Sequence, residues 1–287
     1  MRDKLVISIA SGKGGTGKTT VACGLASVTN NCVYIDCDVE EPNGHILLKP
    51  KITLEESSYK IIPKINNDLC NFCNKCTEVC EFNALLNFKT EIYLIDELCH
   101  SCGACTYFCP QKAITEVKKE NGKIRIGETS DNILFYDAYL KVGEASAAPL
   151  IKKVKNAYKG DGPIIIDSPP GTSCSMLEAV KDSDFCILVT ESTPFGFNDL
   201  KLAINVLRQI NIPYGIVINK YDENFSLLDE YIHDNQLNLL LRIPFRMDIA
   251  ESYSKGELPT ETVKDYKVMM LDLLEKIKKE IVKKEYA

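Results

Sequence analysis

The 287-residue sequence has no run approaching the ~20 apolar residues of a membrane span, so no transmembrane segment is expected. It also lacks an excess of positive charge. Lys and Arg number 34 against 40 Asp and Glu, a formal charge of −6, which is the wrong sign for tracking a nucleic-acid backbone. Nucleic acid is therefore not an expected partner. No secretory leader is expected, because the first apolar run, Leu5 to Ala10, is too short for one and leads straight into a glycine-rich loop. Histidine is scarce, with His45, His100 and His233 dispersed, and none is assigned a role. Cysteine is abundant, at 13. An odd count without a leader argues against a disulfide scaffold and for a cytoplasmic protein whose thiols serve metal binding or core packing.

Short runs rich in β-branched residues recur without polar alternation: Leu5–Ala10, Cys32–Ile35, Ile164–Ile166, Cys186–Thr190 and Ile216–Ile218. Such runs read as parallel strands covered on both faces. Helical patterns at Thr19–Thr29, Pro149–Ala157, Asp199–Gln209 and Val263–Lys284 lie between and after them. The expected fold is α/β, a doubly wound, mostly parallel sheet. The rhythm breaks over 61–137, expected to be an inserted small α+β domain, leaving 1–60 and 138–287 as the main domain. Glu120-Asn121-Gly122 suits a tight hairpin between Ile114–Val117 and Lys123–Ile126.

The insertion carries an internal repeat. Cys70, Cys73, Cys76 and Cys80 recur at a constant offset as Cys99, Cys102, Cys105 and Cys109, with Thr77 matching Thr106 and Ala84 matching Ala113. C-x2-C pairs also bind zinc, so paired zinc sites stand as an alternative, although zinc ribbons use two separated pairs rather than an evenly spaced quartet. Each repeat reads C-x2-C-x2-C-x3-C, and the second continues into Pro110; the run resembles that of bacterial two-cluster ferredoxins. The resemblance implies one [4Fe-4S] cluster on Cys70, Cys73, Cys76 and Cys109 and another on Cys80, Cys99, Cys102 and Cys105. Glu81 departs from the pattern, standing where proline follows the fourth cysteine, but proline there is not a ligand.

Directly after the first strand, Gly12-Lys13-Gly14-Gly15-Thr16-Gly17-Lys18-Thr19 satisfies G-x-x-x-x-G-K-[ST]. Glycines let backbone N–H groups close around phosphates, the helix N-terminus adds partial positive charge, Lys18 reaches the β- and γ-phosphates, and the Thr19 hydroxyl ligates Mg²⁺. Thr16 and Thr20 complete the nucleotide-binding set.

With Lys13 early in the loop, K-G-G-T-G-K-T resembles the deviant phosphate loop of the MinD/ParA/Mrp ATPases. This resemblance implies an ATP-switched homodimer paired through its nucleotide face, with Lys13 reaching the partner's nucleotide. It further implies that Asp38 of Asp36-Cys37-Asp38 orients the attacking water, while Asp36 and Asp167 support Mg²⁺ and Pro169 to Thr172 form a γ-phosphate-sensing switch. Asn219 would contact adenine, with Pro244 and Phe245 flanking it. Asn219-Lys220-Tyr221-Asp222 also matches the guanine-reading N-K-x-D, so GTP remains the alternative.

Cys174 lies just past the switch, where a related nitrogenase iron protein holds a bridging cysteine, but the matching second cysteine is missing; a small buried residue is the simpler reading. Cys23, Cys32, Cys37 and Cys186 read as core. The last helix places Val268, Leu271, Leu274, Ile277 and Ile281 near one face, with Lys276, Lys278, Lys279, Lys283 and Lys284 elsewhere. Packing on the sheet with a solvated lysine face accounts for this pattern, and no membrane partner is expected. Complete four-cysteine sets favour a permanent electron relay, hence ATP-gated electron transfer to a protein partner. ATP-dependent assembly of iron-sulfur clusters or another metallocofactor is the alternative, followed by spatial organisation in the manner of MinD or ParA.

Overall fold

The computed structural model describes residues 5–285. In chain order the elements are β1 (Val6–Ala10), α1 (Lys18–Ser27), β2 (Val33–Asp36), α2 (Gly44–Leu48), β3 (Lys51–Ile65), α3 (Lys75–Glu78), β4 (Leu85–Asn87), β5 (Ile92–Leu94), α4 (Ala104–Tyr107), β6 (Ile114–Glu128), β7 (Leu134–Leu140) and α5 (Ala148–Lys155). The chain continues through β8 (Ile164–Asp167), α6 (Cys174–Val180), β9 (Phe185–Glu191), α7 (Pro194–Gln209), β10 (Tyr214–Tyr221), α8 (Ser226–Asp234), β11 (Leu239–Pro244), α9 (Met247–Ser254), α10 (Pro259–Thr262) and α11 (Tyr266–Glu285).

A nine-stranded sheet runs in the order β11-β10-β9-β1-β8-β2-β7-β6-β3. From β11 to β7 every pairing is parallel, and the strands are the predicted β-branched runs together with β7 and β11. Two-sided burial explains their lack of alternation: α1 and α11 cover one face through Val21, Leu25, Tyr266, Met270 and Ile277, while α5, α6 and α7 cover the other. The buried stripe of α11 is Tyr266, Met270, Leu273, Leu274 and Ile277; Val268 and Leu271 are exposed, so the expected face is rotated. The side chains of Lys283 and Lys284 lie outside the described residues. Cys23, Cys32, Cys37 and Cys186 are buried, as expected of core residues, whereas Cys174 is exposed.

The Glu120-Asn121-Gly122 hairpin does not form. β6 runs unbroken from Ile114 to Glu128, paired antiparallel to both β3 and β7. Ser58 pairs with Gly122 and Tyr59 with Glu120, leaving Asn121 as the extra residue of a β-bulge. Glycine has its reason here, since a Cβ on Gly122 would lie 2.3 Å from the Tyr139 carbonyl oxygen. Residues 61–65 and 114–137 thus extend the main sheet, and the cysteines occupy the protruding segment between β3 and β6.

That segment is two-fold pseudosymmetric. Ile65 pairs with Ile114 and, at the repeat offset, Leu94 with Leu85. The Asn66 amide donates to the Ala113 carbonyl at 2.7 Å, and the matching Ile95 amide to Ala84 at 2.8 Å. α3 and α4 are equivalent single turns. The repeat seen in the cysteines therefore continues into backbone pairing.

Candidate functional site

The phosphate loop joins β1 to α1, with Gly15 and Gly17 both left-handed at φ 79° and 85°. At Gly17 this is also a steric requirement, because a Cβ would lie 2.2 Å from Asn219 Nδ2. Loop, Asp38, Pro170, Asn219, Pro244, Phe245, Arg246 and Tyr253 line one cavity of about 390 Å³, large enough for a nucleotide. Thr16 Oγ1 is buried there without a partner, as a group waiting for a ligand would be.

Lys18 Nζ donates to Asp167 Oδ1 at 2.6 Å, and Asp167 Oδ2 accepts from the Tyr34 hydroxyl at 3.1 Å. Burial alone would lower the Lys18 pKa, but Asp167, helped by Asp38 and Asp36, outweighs it and the net shift is upward. Asp36 and Asp167 face each other in register at the tips of β2 and β8. Burial and the Asp167 charge push the Asp36 carboxyl well above its usual range. Its oxygens accept the amides of Asp38 at 3.0 Å and Gly44 at 2.9 Å, so in this structure Asp36 fixes the loop that carries Asp38. Asp38 is half-buried, and its carboxyl is raised to about 6 by burial, with Lys18 opposing.

Lys13 pairs within its own chain, with Glu191 at the tip of β9. Glu191 also pairs with Lys220 at 3.2 Å, and Lys220 donates to the Gly15 carbonyl at 3.0 Å. Burial would raise the Glu191 carboxyl, but the two lysines hold it below its usual range. Asn219 reaches the loop instead of only the cavity, donating to the Thr16 carbonyl at 2.8 Å. Sequence reasoning passed over Glu191, Tyr34 and the loop contact of Lys220. Glu191 carried a readable signal: it ends an apolar strand on the same edge as Asp36 and Asp167, where ligands of α/β sheets bind.

The cysteines separate into two pockets. Cys70, Cys73, Cys76 and Cys109 line a small one of about 20 Å³, and Cys80, Cys99, Cys102 and Cys105 line the other, a cavity of about 290 Å³. Backbone amides already point at sulfur: Phe72 donates to Cys70 Sγ at 3.4 Å, and Ala84 and Ala113 donate to Cys80 and Cys109 Sγ, each at 3.3 Å. Burial raises the Cys76 thiol to about 11 and also raises Cys99 and Cys105. Among the described residues, no group of three or more His, Cys, Asp or Glu side chains is placed to hold a metal ion. His100 stacks on Phe82 with ring centroids 3.6 Å apart, and burial lowers its pKa. No helix among the described residues is long and apolar enough to cross a membrane.

Residues 7–260 match the family described as the CobQ/CobB/MinD/ParA nucleotide binding domain. An uncharacterized protein of Methanocaldococcus jannaschii is 35% identical over 280 residues, covering 95% of this chain and 96% of that protein. A second from the same organism is 33% identical, covering 90% and 92%. Among solved structures, the cell-division ATPase MinD of Pyrococcus furiosus aligns with TM-score 0.60 at 20% identity over 96% of this chain and 98% of that one. MinD of Pyrococcus horikoshii complexed with Mg-ADP aligns with TM-score 0.59 at 19% identity, over 96% of both chains.

Proposed function

The chain belongs to the CobQ/CobB/MinD/ParA nucleotide-binding family, whose MinD and ParA members are ATPases, and from that premise we propose an iron-sulfur ATPase. In this reading, ATP-dependent pairing of two copies gates electron transfer through two [4Fe-4S] clusters to a protein partner. The observation that carries it is the division of eight cysteines into two separate pockets, each completed by the fourth cysteine of the other repeat. The amides aimed at Cys70, Cys80 and Cys109 suit thiolate ligands, since N–H donors stabilise charge on cluster sulfur. When bound, such clusters accept and return single electrons at low potential.

On the nucleotide side, Lys18 is held ready by Asp167 and turns to the β- and γ-phosphates when ATP enters. Thr19 and Asp167 would hold Mg²⁺, which neutralises phosphate charge, with Asp36 fixing the adjoining loop. Asp38 orients a water whose oxygen attacks the γ-phosphorus, breaking the bond to the bridging oxygen and releasing ADP. Lys13 leaves Glu191 to reach the partner subunit's nucleotide, so the Glu191 pair holds the unpaired state. Pro244, Phe245 and Tyr253 form an apolar wall beside the Asn219 amide, which suits an adenine ring.

The test is anaerobic reconstitution of the full chain with iron counted and reduction kinetics followed with and without Mg-ATP. About eight iron atoms per chain and an ATP-dependent reduction rate are expected. Loss of iron to an apo-acceptor on adding ATP would replace gated electron transfer with cluster assembly. Full iron retention with no effect of ATP on reduction would overturn both.

A further inference from the structure

Of the described lysines, only Lys18 and Lys60 are buried. Lys60, on β3, is 2% exposed where the cysteine segment meets the main sheet. Its ammonium donates to the carbonyl oxygens of Asp96 at 2.6 Å and Cys99 at 3.2 Å, and pairs with Glu144, whose side chain is also buried. Lys119 stands behind this pair, 3.0 Å from Asp96 and 4.0 Å from Glu144. At the repeat offset the residue matching Lys60 is Lys89, which is exposed. A buried ammonium is thus bonded to the backbone of Cys99, one of the four cysteines lining the larger cysteine pocket.

Glu144 belongs to a strap, 140–147, that touches both functional regions. The Leu140 amide donates to the Val39 carbonyl at 2.8 Å, next to Asp38. The Ala145 amide donates to Glu97 at 3.2 Å, beside the Cys99 turn. Ala147 lines a small cavity with Asp38, Glu41, Pro169 and Pro170, the segments expected to respond to the γ-phosphate.

We propose that Lys60 and Glu144 form the electrostatic joint between the nucleotide site and the cluster held by Cys80, Cys99, Cys102 and Cys105. Lys60 is a positioning residue that fixes the Cys99 backbone and lends that cluster a positive field. Glu144 offsets the field, and the strap varies the offset as Val39 and Pro170 shift with nucleotide. A reduced cluster carries one more negative charge than an oxidised one, so the cation favours reduction. The inference rests on the iron-sulfur reading, and its test separates the two.

The full chain is reconstituted anaerobically, its iron counted, and both centres titrated potentiometrically with EPR detection, alone and with Mg²⁺ and a non-hydrolysable ATP analogue. Two centres of unequal potential are expected, one of them shifting with nucleotide. Lys60→Met lowers the potential of that centre, Glu144→Gln raises it, Lys60→Arg keeps it near wild type, and the nucleotide-dependent shift is lost in both charge-removing variants. Opposite signs at one centre are not what a general loosening produces. A chain that binds no iron overturns the iron-sulfur reading and this inference together. A loaded chain overturns this inference alone if neither centre responds to nucleotide, or if the two substitutions shift potentials in one direction or shift both centres equally. Should Lys60→Met fail to load, Glu144→Gln decides the sign by itself, with Lys60→Arg as the charge-conserving control.

Discussion

The phosphate loop lines the nucleotide cavity and the cysteine turns direct backbone N–H groups at sulfur, and the two are built from different residues. Both use left-handed backbone. In the phosphate loop the residues are Gly15 and Gly17, and at Gly17 a side chain has no room beside Asn219. In the cysteine segment, besides Lys89 in the β4–β5 turn, the paired left-handed positions are Phe72, Asn74 and Asn83 in one repeat, and Ser101, Gly103 and Lys112 in the other. Five of these six carry side chains, at about 1 kcal/mol or more each, a cost that persists only where the surroundings impose it. Glycine marks where backbone conformation and space are both restrictive; elsewhere the sulfur-directed turn itself dictates the backbone.

If the two regions are separate machines, they should fail separately. Lys18→Met is expected to lower ATP hydrolysis on the order of 10³-fold while leaving iron near eight per chain, because Lys18 bonds Asp167 and lines the nucleotide cavity, apart from the cysteine pockets. Loss of iron in this variant would break the separation. The next largest effect is on the cysteine side. Cys80→Ser is expected to halve the iron and to abolish the EPR signal of the centre formed by Cys99, Cys102 and Cys105, the repeat to which Cys80 does not belong in sequence. Loss of the Cys70 centre instead would mean that each repeat binds its own cluster.

Much of this contrast was legible in the sequence. Local patterns carried the strands, because burial on both faces leaves an unmistakable apolar run, and the phosphate loop, because its spacing is imposed by phosphate size. The cysteine partition rests on the resemblance and stands as a proposal, supported by the two groups of pocket-lining cysteines. Pairings over long sequence distances were not legible. Glu120-Asn121-Gly122 has hairpin composition, but β3 on one side and β7 on the other hold β6 straight, and the misfit is absorbed by a bulge at Asn121. Glu191 meets Lys13, and Glu144 meets Lys60, only because the sheet brings segments distant in sequence together. On α11, the 3.6-residue period identified the helix but not its rotation, which is set by α1 and the sheet.

A third effect comes from pH and sharpens the nucleotide side. Burial raises Asp38 to about 6, so its carboxylate is present above that pH and is lost as pH falls through it. If this carboxylate orients the water, kcat/KM for ATP should fall about tenfold per pH unit below roughly 6. The limb should be missing from a residual, slower Asp38→Asn activity. A limb retained in Asp38→Asn would assign the titration to another group.

The smallest effects return to glycine. Gly17→Ala asks a left-handed position at φ 85° to accept a Cβ against the Asn219 amide, which would have to give up its bond to the Thr16 carbonyl. The expected cost is about 1–3 kcal/mol of stability, together with weaker nucleotide binding measured by titration calorimetry. Lys112→Gly makes the reverse exchange at φ 52° on an exposed turn. It relieves left-handed strain but loosens the unfolded chain, and the two terms of about 1 kcal/mol leave a net change within roughly 0.5 kcal/mol. Thermal unfolding of the two variants side by side measures the difference. If Lys112→Gly were as damaging as Gly17→Ala, side chains at the cysteine turns would be contributing contacts of their own, and the turn conformation would not be set by the backbone and sulfur alone.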